Sequence, residues 1–279
     1  MRLHRAPRPL PLVLPLILPV GLVTLWWWTS RDSTSYAFPP LAEIVESLRD
    51  EWLGSRVGSD VWPSLRRFGI GFGIAAVAGI AAGTLIGSSP RLRRATQPVV
   101  ELIRSIPSPL LFPIALVLFG IGDGSKVALI ALGSVWPVLL NTVDGVRGVD
   151  PQVIDVARSF RLDLRTRVTR VVLPAASPRI AAGLRIGLAV ALLLTVVSEM
   201  RGGTNGFGFR IRSDQRSFDT ASSYAGVILI GFVGLVVNLA FVVAERRVMR
   251  WHRGARGLLD DVRRPAASPA AHPVGSPAG

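Results

Sequence analysis

The 279-residue chain has no cysteine, one lysine (Lys126) among its 32 basic residues, and only three histidines. Without cysteine there are no disulfides, thiolate metal ligands or thiol nucleophiles. His4, His252 and His272 all lie near the ends, which leaves little for a histidine-metal or proton-relay site. No HExxH or GxSxG pattern occurs, so a membrane-embedded enzyme lacks its catalytic cluster. Walker A is missing too: Gly120-x-Gly122-x-Gly124-Ser125-Lys126 is superficially similar, but Ser125 stands between glycine and lysine. Charge is scarce, 18% of residues against 49% hydrophobic, and the mean hydropathy is +0.45. That is too apolar for a soluble domain. A formal net charge of +14 raises nucleic acid as a partner, but the charges sit between long apolar runs and point to a membrane instead. The arginine excess is read as codon composition rather than arginine-specific recognition.

A helix needs about 20 apolar residues to cross a hydrocarbon core. Stretches between charges give six candidate spans, at 10–29, 66–88, 99–120, 125–145, 180–200 and 222–244. The first is read as a span rather than a signal peptide, because it is long and lacks a small-x-small cleavage site. Trp26, Trp27 and Trp28 form an interfacial belt at its far end. With the N-terminus inside, twenty arginines fall in inner segments and seven in outer ones, so N-in, C-in is expected. The fold expected is an all-α membrane protein of six transmembrane helices. Residues 1–62 form the first span and an outer loop, with a short interfacial helix after Pro39-Pro40. Residues 63–250 form a core of five spans, and 251–279 a disordered cytoplasmic tail rich in Ala, Pro, Gly and Ser.

Within the second span, Gly71, Ala75, Gly79, Gly83 and Gly87 place a small residue at every fourth position. Such a stripe lets another helix approach closely, either in a static bundle or beside a pathway that rearranges. Pro107, Pro109 and Pro113 break the helical ladder of the third span. That fits either a kinked helix or a pathway lining, since irregular backbone at membrane depth needs protein or water against it. Glu199 lies 19 residues beyond Ile180 and so falls near the outer headgroups, as an interfacial or structural group or at a pathway mouth. Glu101 and Arg104 have ion-pair spacing, and a contact with the 146–179 loop is the other reading. Arg185 is read as snorkelling inward, with attraction of an anion as the alternative.

The inner loop at 146–179 carries the most information. Asp150-Pro151 reads as an N-cap and first helical residue. Val153, Val156, Ala157 and Phe160 then share one face, with Arg158, Arg161 and Arg165 around the other side. This short amphipathic helix either lies on anionic headgroups or inserts into a groove on a cytosolic partner.

Asp155-Val156-Ala157-Arg158-Ser159-Phe160, followed by Val171-Val172-Leu173-Pro174, resembles the EAA loop of ABC importer permeases. Asp155 replaces the motif Glu and Arg161 the motif Gly. If that Gly serves the turn after the helix, Arg there adds strain when φ is positive. Ser64-Leu65-Arg66-Arg67, Arg104-Ser105-Ile106-Pro107, Phe119-Gly120-Ile121-Gly122, Asn141-Thr142, Ser198-Glu199-Met200 and Gly206-Phe207-Gly208 narrow the resemblance to nitrate/sulfonate/taurine-type permeases, over about residues 60–250.

The resemblance implies a transport subunit of the bacterial cytoplasmic membrane, without an ATPase site of its own. Residues 146–178 would be the coupling loop, with Asp155, Val156, Ala157, Arg158, Ser159, Phe160, Arg161 and Pro174 contacting the ATPase. Two permease copies, two cytosolic ATPase subunits holding ATP and magnesium, and an extracytoplasmic solute-binding protein would complete the importer. The chain itself would bind no cofactor or metal. The solute would be a small anion such as a sulfonate, taurine or nitrate. The alternative, an ion-coupled secondary transporter, calls for mid-span acids and internal repeats. Neither is evident.

Overall fold

The computed structural model describes residues 10–249, with side chains from Ile17 onward. The arginines at 2–8 and the tail beyond Gly254 lie outside the described residues. The chain divides at Asn238 into two units, the second holding only residues 239–248 of the last helix among those described. All regular structure among the described residues is helical.

Helix α1 (Leu10–Ser30) is followed by a turn and α2 (Leu41–Ser47), which begins directly after Pro39-Pro40. π-Helical turns at Leu48–Ser55 and Val57–Val61 carry the chain almost without a break into α3 (Trp62–Ser88). Then come α4 (Pro90–Arg104) and α5 (Phe112–Phe119). The long α6 (Asp123–Arg147) leads to the short α7 (Pro151–Ser159) and α8 (Leu164–Arg167). Helices α9 (Leu173–Gly202), α10 (Phe207–Arg216) and α11 (Thr220–Val248) complete the chain.

Among the described residues, four helical runs are long and apolar enough to cross a membrane: Val57–Ser88, Asp123–Arg147, Leu164–Gly202 and Thr220–Val248. The stretch expected as one span over 99–120 is instead two helices bent by 87°. Pro107 and Pro109 supply no N–H, and a residue before proline is driven out of the helical region, so the ladder ends at Ser105. Counted as one broken span, the pair raises the total to five.

The inner loop is also shorter than expected. Helix resumes at Leu164 rather than near 180, through π-helical turns at Val168–Val172. In both long runs the π-helical turns end just ahead of a proline, Pro63 or Pro174. A wider turn there relieves the clash between the pyrrolidine ring and the carbonyl four residues back.

Helix α6 lies between α3 and α9. The small-residue stripe on α3 is what lets it approach. A Cβ on Gly71 would stand 2.6 Å from Ile130, one on Gly79 2.8 Å from Val138, one on Gly83 2.6 Å from Thr142, and one on Gly87 2.8 Å from Val146. On the other side, Gly183 and Gly187 of α9 meet Asn141 and Val138 of α6 in the same way. Close backbone approach maximises dispersion where lipid tails offer no hydrophobic drive. Gly83 also faces the backbone carbonyl of Leu139 at 2.8 Å, which cannot move aside as a side chain does. Gly83→Leu is therefore expected to destabilise the fold by about 1–3 kcal/mol, read as a lower thermal midpoint of the detergent-solubilised protein. The same change at Gly69, which has open space around it, is the control.

Beside α10, Trp52 is fully buried among Ile44, Phe207, Ile211, Ala225 and Leu229. Its Nε1 donates to the Ser222 carbonyl at 3.0 Å, and its ring stacks on Phe207. Where α6 ends and α9 begins, Val146, Val172, Ala176 and Ile180 form a second cluster, against which Ile154 of α7 packs.

Candidate functional site

Two constellations lie at opposite ends of the α3–α6–α9 core. The first is α7. Asp150 Oδ1 accepts the Gln152 N–H at 2.8 Å and Pro151 follows, a strong helix start. Ile154 and Ala157 turn toward the protein, Ala157 to burial, so α7 is anchored on the cluster of Val146, Val172, Ala176 and Ile180. The face predicted as Val153, Val156, Ala157 and Phe160 is thereby split. Val153, Val156 and Phe160 point away from the protein, and Phe160 is 77% exposed. Asp155 and Arg158 form an exposed pair at 3.2 Å, and Ser159 Oγ donates to the Asp155 carbonyl. Pro174 sits in the first turn of α9, apart from this face.

The end of α7 is a Schellman turn. The Leu162 N–H bonds the Ala157 carbonyl and the Arg161 N–H the Arg158 carbonyl, with Arg161 at φ +52° between them. This is the position usually held by glycine, and a side chain there costs about 1–2 kcal/mol. Arg161→Gly is expected to recover about 1 kcal/mol of that. Slower hydrogen exchange at the Leu162 amide is the readout.

The second constellation is built on Glu199, in the last turn of α9, with no exposed surface. Its Oε1 accepts from Arg67 Nη1 at 2.8 Å and its Oε2 from the Gly208 N–H at 3.1 Å. Ser64 Oγ lies 2.8 and 2.9 Å from the two oxygens and accepts the Phe207 N–H. Asp60 Oδ1 accepts the Gly206 N–H at 2.8 Å. Three successive amides at the start of α10 thus reach Asp60, Ser64 and Glu199, and both acids face the positive end of that helix. Gly206 has φ +108°, and a Cβ there would collide with the Glu199 carboxylate.

Arg67 joins this cradle to α6. Its Nε bonds Asp123 at 2.6 Å, and its guanidinium also reaches both oxygens of Asn205. Arg66 pairs with the same Asp123, and Lys126 is buried one turn further along α6. Arg66 and Arg67 are therefore matched by acids. A neighbouring lock ties Arg56 to Asp214 at 2.8 Å, Ser222 at 2.6 Å and Glu51. Burial pushes the Asp214 carboxyl above its usual range, and the Arg56 guanidinium pulls it back.

The other sequence candidates lie elsewhere. Pro107 forms the elbow before α5, whose outward face (Ile114, Val117, Leu118) is exposed. Pro109 and Pro113 sit in the first turns of the helices that follow it. Glu101 takes a hydrogen bond from Gln97 at 2.9 Å and is not paired with Arg104 among the described residues. Both line a cleft of about 300 Å³ with Arg93, Asp144 and Arg147. Arg185 is exposed on α9. No group of three or more His, Asp or Glu able to hold a metal occurs among the described residues.

Residues 75–250 match the family of binding-protein-dependent transport system inner membrane components. The chain is 30% identical to a putative aliphatic sulfonates transport permease protein, SsuC, of Bacillus subtilis, over 87% of this chain and 88% of that one. It is 30% identical to the taurine transport system permease protein TauC of Escherichia coli, over 83% and 86%. A solved inward-facing structure of the MetNI methionine ABC transporter superposes with a TM-score of 0.58 at 19% identity, covering 67% of this chain and 94% of that one. At that identity the likeness is one of fold.

Proposed function

The chain belongs to the family of binding-protein-dependent transport inner-membrane components, a permease subunit of an ABC importer, and from that premise we propose how it works. It crosses the membrane six times, with α1 as the first span and the bent α4–α5 pair as the third. Both termini lie inside. This orientation puts α7 in the cytosol and the Glu199 constellation at the outer face, in keeping with the arginine bias.

Two copies flank the pathway, each on one cytosolic ATPase subunit that carries the ATP and magnesium. Val153, Val156 and Phe160 of α7 seat in a groove of the ATPase, with Asp155, Arg158, Ser159 and Arg161 around them. The observation that carries this reading is the unpartnered apolar edge of a helix anchored by its other side through Ile154 and Ala157. An anchored helix transmits force: closure of the ATPases on ATP moves α7, and α7 moves the inner ends of α6 and α9. At the other end, the buried charges hold α10 to α3, α6 and α9, so the outer cap follows the same helices. An extracytoplasmic binding protein delivers a small anion, a sulfonate, taurine or nitrate, as the relatives' names suggest. The chain contributes motion and no bond-making step.

Proteoliposomes holding permease, ATPase and binding protein test this. Solute should accumulate only with internal or external ATP on the ATPase side and with binding protein on the other. Uptake driven by a proton or sodium gradient without the ATPase overturns it.

A further inference from the structure

At the inner ends of the spans lies a cleft of about 440 Å³ between the α3–α4 corner, the end of α6 and the α7–α8 segment. Four arginines line it, Arg93, Arg147, Arg158 and Arg167, and no acidic residue does. Arg147 and Arg158 share weak exposed pairs with Asp144 and Asp155 on their own helices. Arg93 and Arg167 are half-buried, and neither has an ion-pair partner among the described residues. Half-buried guanidinium groups facing one another across a cleft repel unless an anion lies between them. The start of α4, at Ser89-Pro90, adds the positive end of a helix.

The floor of the cleft is apolar, formed by Val146, Val168 and Val172. A free inorganic anion gains nothing from such a floor, whereas an amphiphile covers it. On the orientation proposed above, the cleft stands where the runs Val57–Ser88 and Asp123–Arg147 end, close to the inner headgroups.

We propose that this cleft binds the phosphate headgroup of an anionic phospholipid of the inner leaflet, with its first acyl carbons on the valine floor. A lipid held there bridges α4 and α6 to the α7–α8 segment and so steadies the element that meets the ATPase. The inference rests on the inside placement of α7 and is independent of the solute.

Native mass spectrometry of the full chain with its ATPase, in mild detergent with added phosphatidylglycerol or phosphatidylcholine, is the test. Wild type should retain phosphatidylglycerol roughly tenfold better, a ratio within reach of two arginines near a headgroup. R93Q/R167Q should abolish the preference. R91Q/R170Q, the same charge change at exposed arginines outside the lining, should keep it. Equal preference in R93Q/R167Q and wild type overturns the proposal, as does equal loss in both double variants. Displacement of the lipid by inorganic phosphate identifies a soluble anion instead. Loss of lipid from wild type on ATPase binding identifies an acidic side chain of the ATPase as the occupant. Should R93Q/R167Q fail to assemble, R167Q alone is read the same way. Failure here with the ATPase still bound leaves the importer reading standing.

Discussion

Glu199→Ala is expected to cost about 3–5 kcal/mol, the largest single-residue effect in the chain. The carboxylate is fully buried and meets Arg67, Ser64 and the Gly208 amide. Its removal leaves Arg67 with Asp123 and Asn205 but strips the start of α10 of an acceptor, in surroundings where water cannot replace it. The thermal midpoint in detergent should fall by roughly 10 °C. Arg67→Ala should cost a similar amount. The double variant should cost clearly less than the two together, because Arg67→Ala strands the buried Glu199 charge and the second change removes it. Additive losses would mean that the two residues act separately. A wild-type midpoint in Glu199→Ala would mean that α10 is held by the Trp52 cluster and the Arg56 lock alone.

Val156→Ala/Phe160→Ala is expected to leave the fold intact and disconnect the chain from its ATPase. Both side chains point away from the protein, so no cavity forms in it. Truncating a central aromatic anchor in an interface costs about 2 kcal/mol or more, roughly 30-fold in affinity. ATP-driven uptake should fall at least as far, with the thermal midpoint unchanged. If instead α7 lay on the headgroups, the same variant would loosen membrane association of the segment and leave affinity for the ATPase untouched. Ile154→Ala separates anchor from contact: it should lower the midpoint, since Ile154 packs on the inner cluster.

Much of this could be read from one sequence, and the parts that could not have identifiable physical causes. Charge-free runs locate α3, α6, α9 and α11 because a membrane tolerates few charges. Asp150-Pro151 fixes the start of α7 because capping is local. The glycine stripe names a packing face, though not its partner, α6. Glu199 is the instructive case. Its height along α9 was legible, and near headgroups that height makes a charge cheap. Its burial was not, because the groups that cover it come from Ser64 and Arg67, more than 130 residues earlier, and from the start of α10. The Ser64-x-x-Arg67, Glu199 and Gly206-Phe207-Gly208 patterns were visible separately, and only the fold shows that they are one site. The inner loop was drawn too long for a different reason. Spans were counted between charges, so Arg165, Arg167, Arg170 and Arg179 pushed the expected start to 180, whereas helix resumes at Leu164 with those arginines on it and with π-helical turns ahead of Pro174. Counting face periodicity on α7 grouped Ala157 with Phe160, while the inner cluster draws Ala157 and Ile154 inward and leaves Phe160 out.

The central claim is that the free edge of α7 seats on the ATPase. The chain has no cysteine, so Phe160→Cys introduces a single thiol in a silent background. Labelled with a short photo-crosslinker in the assembled complex, it should yield a covalent product with the ATPase subunit, and the same label on Thr169→Cys, an exposed position beyond the turn, should yield little. A product with lipid alone, or equal products from both positions, would contradict the account.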